Sequence, residues 1–248
     1  MTIQERLAKI RFFKVTPDLS SLSGGQKRSL AHCIDATRIM TNIYLKQVAH
    51  GNLAIYRWLQ DRSDQEGVDL LRYFKIHGCP WDGYDHDKPF VPGVETRPKF
   101  GSFYPAGFDK EEWDRWLSTH PEDRERFESN YTTIRQRGTR LVAVPYSEEY
   151  AENLISAATH LRLAASYLPD GVLQYFLKRR ADAFQSNEYF ESDMAWVDTD
   201  GKPFEVTIGP YEVYFDQLLG LKASFEGFVA LPDKDDTAAL ERFTPLVP

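Results

Sequence analysis

The sequence predicts an α+β fold, mostly helical, with a small and mainly antiparallel sheet. Three observations carry that expectation. Apolar residues recur at helical spacing over most of residues 25–77 and 147–184. Two β-rich runs, 131–134 and 141–144, flank Arg137-Gly138-Thr139 and read as a hairpin. Phe204, Val206 and Ile208 alternate with Glu205 and Thr207, the period of a strand with one buried face.

Taken in order, residues 1–20 read as a short charged helix and a turn at Pro17-Asp18. Ser23 or a neighbouring glycine caps the next helix, about 25–49, which carries Leu30, Cys33, Ile34, Met40, Tyr44 and Val48. Gly51 falls where a C′ residue is expected. Further helices hold Leu53, Tyr56, Trp58 and Leu59, then Val68, Leu71, Tyr73, Phe74 and Ile76, with His77-Gly78 ending the last. His32 and His50 read as surface or capping groups rather than ligands.

Residues 78–108 are rich in proline and glycine and have no sustained period, so they form a long loop. Trp81, Tyr84, Phe90, Phe100, Phe103 and Tyr104 require that loop to be packed rather than disordered. Asp82, Asp85, His86 and Asp87 lack metal-ligand spacing and read as turn residues. Asp109 caps a helix with Glu112 at N3, and residues 121–130 continue as a charged surface helix. After the hairpin, Ser147 is expected to cap a long helix through Leu154, Leu161 and Ala165, and another carries Leu173, Phe176, Leu177 and Phe184. Met194–Val197 reads as a short strand, joined by a turn at Asp200-Gly201 to the strand at Phe204. Gly209-Pro210 should break that strand. Alternation then resumes, with Tyr211, Val213 and Phe215 on one face and Glu212, Tyr214 and Asp216 on the other. That polar face is either solvated or the lining of a cleft. A last helix begins at Asp235-Asp236-Thr237 and carries Ala239, Leu240, Phe243 and Leu246.

Composition narrows the function classes. A net charge of −7 argues against a nucleic-acid partner, which needs a positive field. No apolar run is long enough to span a membrane, and Met-Thr-Ile-Gln-Glu-Arg-Leu lacks the apolar core of a signal peptide. Cys33 and Cys79 have no metal spacing and read as reduced thiols of a cytoplasmic protein. Leu22-Ser23-Gly24-Gly25-Gln26 resembles the signature motif of ABC-transporter ATPases. The phosphate loop such enzymes need is absent from the sequence, and the segment reads as a helix cap.

A second resemblance runs through several blocks. Ile208-Gly209-Pro210-Tyr211-Glu212-Val213-Tyr214, followed by Phe225-Glu226-Gly227-Phe228-Val229-Ala230, resembles the dipeptidyl peptidase III-like zinc metallopeptidases. Pro80-Trp81-Asp82, Lys88-Pro89-Phe90, Phe103-Tyr104-Pro105, Val144-Pro145-Tyr146-Ser147, Arg180-Ala181-Asp182-Ala183 and Asp193–Val197 resemble the bacterial branch in order and spacing. The resemblance implies the non-zinc, substrate-binding lobe of a two-lobed peptidase that releases dipeptides from peptide N-termini. It places Glu212 and Glu226 in substrate binding and gives Tyr214 a catalytic role at the reacting carbonyl. The family's zinc is held by a His-Glu-x-x-x-His helix and a further glutamate. None of the six histidines here belongs to such a motif, so no metal ligand and no bound zinc is expected of this chain.

Residues 1–248 are therefore expected to form one domain, with the zinc lobe as a missing partner C-terminal to Pro248, and a peptide as substrate. The same residues allow a second reading, a peptide- or protein-binding module of the same fold without catalysis.

Overall fold

Capping side chains mark where the helices start and stop. In the computed structural model, which describes residues 1–198 and 202–243, helix α1 is Ile3–Leu7 and α2 is Gly24–Val48. At the start of α2, Ser23 Oγ accepts from the Gln26 amide, while Gln26 Oε1 accepts from the Ser23 amide, a reciprocal capping box. Helices α3 (Asn52–Gln60) and α4 (Gln65–His77) follow, and Gly51 serves as N-cap of α3 rather than C′ of α2. Asp64 caps α4 by accepting from the Gly67 amide, and Gly78, at φ 62°, ends it by donating to the Phe74 carbonyl.

The long loop contains a short antiparallel pair, β1 (Trp81–Asp82) with β2 (Lys88–Pro89). Asp109 caps α5 (Lys110–Thr119); a 3₁₀ turn at Pro121–Asp123 leads into α6 (Arg124–Glu128). Strands β3 (Thr132–Arg137) and β4 (Arg140–Pro145) pair antiparallel with Arg137 opposite Arg140. Gly138, at φ 63°, supplies the left-handed residue this two-residue turn needs. The long helix expected from Ser147 begins instead with α7 (Tyr146–Glu149), with Pro145 at its N-cap position and no side-chain cap, and resumes as α8 (Ala151–Ser166). Next come α9 (Val172–Ser186), α10 (Phe190–Val197), strands β5 (Glu205–Glu212) and β6 (Ser224–Ala230), and α11 (Lys234–Glu241).

Three expectations are corrected. Met194–Val197 is the end of α10, not a strand: the fully buried Arg180 of α9 donates to Asp193 at 2.5 Å, and Ser192 and Ala195 are buried one turn apart. Gly209-Pro210 does not break its strand, because β5 runs through both residues. A two-stranded ladder has only edges, where a missing N–H is tolerated. Among the described residues, the hairpin β3–β4 and the strands β5 and β6 do not join into the one small sheet expected. They stay in separate two-stranded ladders, and the Ile134 amide is taken by the Phe103 carbonyl of the long loop at 2.8 Å. The Asp200-Gly201 turn and Leu246 lie outside the described residues.

The chain forms two compact units. The first comprises Met1–Val15, Thr41–Ala151 and Pro210–Phe225. The second comprises Thr16–Met40 and the described residues of Glu152–Gly209 and Glu226–Pro248. In the first, Leu45, Leu53, Leu59, Leu70, Phe74 and Val91 form one apolar cluster, and Val48, Ala49, Cys79 and Trp81 another. In the second, the buried faces of α8 and α9 present Leu154, Ala158, Leu161, Phe176, Leu177 and Phe184. Both cysteines are buried free thiols. Burial pushes Cys33 up to about 12 and also raises Cys79. No described helix is long and apolar enough to cross a membrane.

Candidate functional site

The segment after β5 is built around one buried carboxylate. Asp216 is 2% exposed, and its two oxygens accept from the amides of Leu218, Leu219, Leu221 and Lys222 at 2.9–3.3 Å. The Tyr104 hydroxyl adds a fifth bond at 2.6 Å. A carboxylate that accepts several backbone N–H groups replaces its lost hydration with fixed dipoles, so its burial is sustainable. Burial and the Asp216 charge together raise the Tyr104 phenol well above the ordinary tyrosine range.

Lys222 is buried beside it. Its ammonium donates to the Phe127 carbonyl, the Ser129 carbonyl and Thr132 Oγ1 at 2.5–2.8 Å. Loss of hydration drives Lys222 down to about 7, against the opposing pull of Asp216 and Glu128. The return to β6 is pinned as well. The Ala223 carbonyl accepts from Tyr146 Oη at 2.8 Å and Gln47 Nε2 at 3.1 Å, and Gln47 Oε1 accepts from the Phe225 amide at 2.8 Å. Ser224 Oγ donates to the Glu212 carbonyl at 2.9 Å, tying the two legs together.

On this platform Glu212 and Tyr214 face solvent, Tyr214 with 65% of its surface exposed. The strand alternation expected for Tyr211–Asp216 ends at Glu212. The Asp216 amide bonds the Val213 carbonyl at 3.0 Å, so 213–216 is a turn, which projects Tyr214 outward and Asp216 inward. The Tyr214 ring lies 4.6 Å from that of Phe215, which in turn meets Tyr44 edge-on at 5.2 Å. Phe215, Tyr44, Gln47, Arg97 and Lys99 line a cavity of about 350 Å³. Burial pushes the Tyr44 phenol up to about 12. Arg97 pairs with Asp87 at 2.8 Å, and Asp87 and His86 both hold left-handed backbone at φ 54° and 53°, strain concentrated on the cavity wall.

The third expected site residue, Glu226, belongs to the other compact unit, half-buried on β6. Its neighbour Gly227 packs so closely on Thr37 that an added Cβ would sit 2.9 Å from the threonine side chain. Glu212 and Tyr214 are thus grouped on one segment. Sequence reasoning missed Asp216, Lys222 and Gln47, which hold the segment. The available signal was an aspartate six residues before a lysine across a glycine-containing turn, a pattern suited to collecting loop amides. Among the described residues, one group of three potential metal ligands occurs, His32, Asp35 and His160. It does not match two histidines of a His-Glu-x-x-x-His helix with a glutamate, so these residues do not fit a catalytic zinc of that type and take part in no chemical step through one.

An exposed carboxylate two residues from an exposed phenol, on a rigid turn, can accept from an ammonium group and donate a hydrogen bond to a carbonyl.

The model of "Peptidase family M49" matches residues 117–246. The chain is similar to the dipeptidyl peptidase III structure from Caldithrix abyssi, with TM-score 0.92 and 40% identity, over 98% of this chain and 46% of that one. The dipeptidyl-peptidase III structure from Corallococcus sp. strain EGB gives TM-score 0.90 and 37% identity, over 97% and 45%. A curated relative, Nudix hydrolase 3 of Arabidopsis thaliana, is 29% identical over 98% of this chain and 38% of its own length. The chain therefore spans less than half the length of each of these relatives.

Proposed function

Because the chain belongs to peptidase family M49, we propose that it is the N-terminal, substrate-binding part of a cytoplasmic dipeptidyl peptidase III-like zinc hydrolase that releases dipeptides from peptide N-termini. In this reading residues 1–248 act as one substrate-binding lobe, and the zinc ligands lie on a second lobe C-terminal to them.

The observation that carries the reading is the exposure of Glu212 and Tyr214 on a segment that Asp216 and Lys222 immobilise. Glu212 holds the free ammonium of the peptide, and Tyr214 donates its hydroxyl proton in a hydrogen bond to the carbonyl oxygen of the bond to be cut. A donor fixed before the reaction stabilises charge that develops there without reorganising. Glu226 contributes to substrate binding from its own unit. Tyr44 and Phe215 with Gln47, Arg97 and Lys99 give the neighbouring cavity a mixed aromatic and polar lining for a peptide side chain.

The test is fluorescence anisotropy of a labelled tetrapeptide with a free N-terminus, against its N-acetylated form. Glu212→Gln is expected to weaken binding of the free peptide at least tenfold, about 1.4 kcal/mol, and to leave the acetylated one unchanged. Equal binding of the free peptide by wild type and Glu212→Gln would overturn the assignment. The chain alone is expected not to hydrolyse a dipeptidyl-arylamide.

A further inference from the structure

Two histidines distant in sequence meet inside the second compact unit. His32, on α2, and His160, on α8, bring their Nδ1 atoms to 3.2 Å. Asp35 follows His32 by three residues, on the same face of α2, and its Oδ2 lies 4.0 Å from His160 Nδ1. One ligand atom from each of the three residues falls within 4.8 Å of the others. The surroundings are ordered. Tyr167 stacks on His32 at 5.7 Å with planes 6° apart, and the Arg28 guanidinium lies over the Tyr167 ring, 5.0 Å from its centroid.

We propose that His32, Asp35 and His160 form a binding site for a first-row divalent transition metal such as Zn²⁺, clasping α2 to α8. A tetrahedral zinc with Zn–N bonds of about 2.0–2.1 Å sets its ligand atoms roughly 3.3–3.4 Å apart, close to the separation of the two imidazole nitrogens. The carboxylate oxygen is farther out. It belongs to a half-exposed side chain that also pairs with the exposed Arg38, so a small rotation brings it into line. Two imidazoles and one carboxylate select zinc, cobalt, nickel or copper over calcium and magnesium, which prefer oxygen ligands. Three protein ligands leave a fourth position for water. The consequence is structural: a metal bound to the folded chain stabilises it by mass action.

The 248-residue chain, freed of any affinity tag and of chelator, is titrated with Co²⁺ and followed by visible absorption, with Zn²⁺ as competitor. One Co²⁺ per chain is expected, displaced by Zn²⁺, with affinity lowered at least tenfold in His160→Gln and in Asp35→Asn. Zn²⁺ is also expected to raise the melting temperature of wild type and not that of His160→Gln. Absence of one-to-one binding, or undiminished affinity in both variants, overturns the proposal. Asp35→Asn alters a half-exposed side chain and keeps the test decisive should His160→Gln fail to fold.

Discussion

Replacing Asp216 with asparagine separates the carboxylate's role from its shape. The carboxylate accepts at Oδ2 from Tyr104 and the amides of Leu221 and Lys222, and at Oδ1 from those of Leu218 and Leu219. Asparagine keeps one acceptor oxygen and puts an NH₂ where the other stood. In the best orientation the oxygen keeps the three partners of Oδ2, and the Leu218 and Leu219 amides then face a donor. Each buried donor left without a partner costs about 1–3 kcal/mol; the two are only part-buried, so a total of about 2–4 kcal/mol is expected. Urea denaturation at pH 7 followed by tryptophan fluorescence measures the global loss, and hydrogen exchange at residues 218–222 measures the local one. Tyr104→Phe removes a single donor, leaves four amides on the carboxylate, and should cost about 1–2 kcal/mol. If Asp216→Asn cost under about 0.5 kcal/mol, within the range of an ordinary surface change, the view of Asp216 as the hub of this segment would be wrong.

Other outcomes follow from neighbouring features. Lys222 has a folded-state value near 7 against 10.5 for the free side chain, so between those values the unfolded chain binds more protons and stability rises with pH. Each pH unit in that window is worth about 1.4 kcal/mol, so wild type should gain on the order of 4 kcal/mol relative to Lys222→Met between pH 7 and pH 10.5. A difference that stays flat with pH would contradict this. Gly101→Ala forces a Cβ to 2.8 Å from the Gln47 carbonyl at a backbone φ of +64°. A loss of about 2 kcal/mol or more is expected, read as a lower urea midpoint.

Much of the helical framework was legible because its ends carry local chemistry. Ser23, Gly78 and Asp109 each act within a few residues of themselves, as does the Gly138 turn. Where the outcome depended on distant partners, the same reasoning failed. Met194–Val197 is a short apolar run with no decisive period, and the pairing of buried Arg180 with half-exposed Asp193, together with the burial of Ser192 and Ala195, settles it as helix. For the candidate site, Glu212 and Tyr214 were found through a family resemblance. A period-two template put Asp216 beside them on the polar face, whereas Tyr104, 112 positions away in sequence, draws it inward. The His32–His160 pair lay equally out of reach, 128 positions apart.

The two cysteines have a practical consequence. Cys33 is 0% exposed and Cys79 5%, and burial raises both thiols, so neither presents a thiolate to solvent near neutral pH. The wild-type chain is therefore already suited to maleimide chemistry. A single cysteine placed at an exposed position such as Phe228 would take a fluorophore or spin label alone, without prior removal of the native pair.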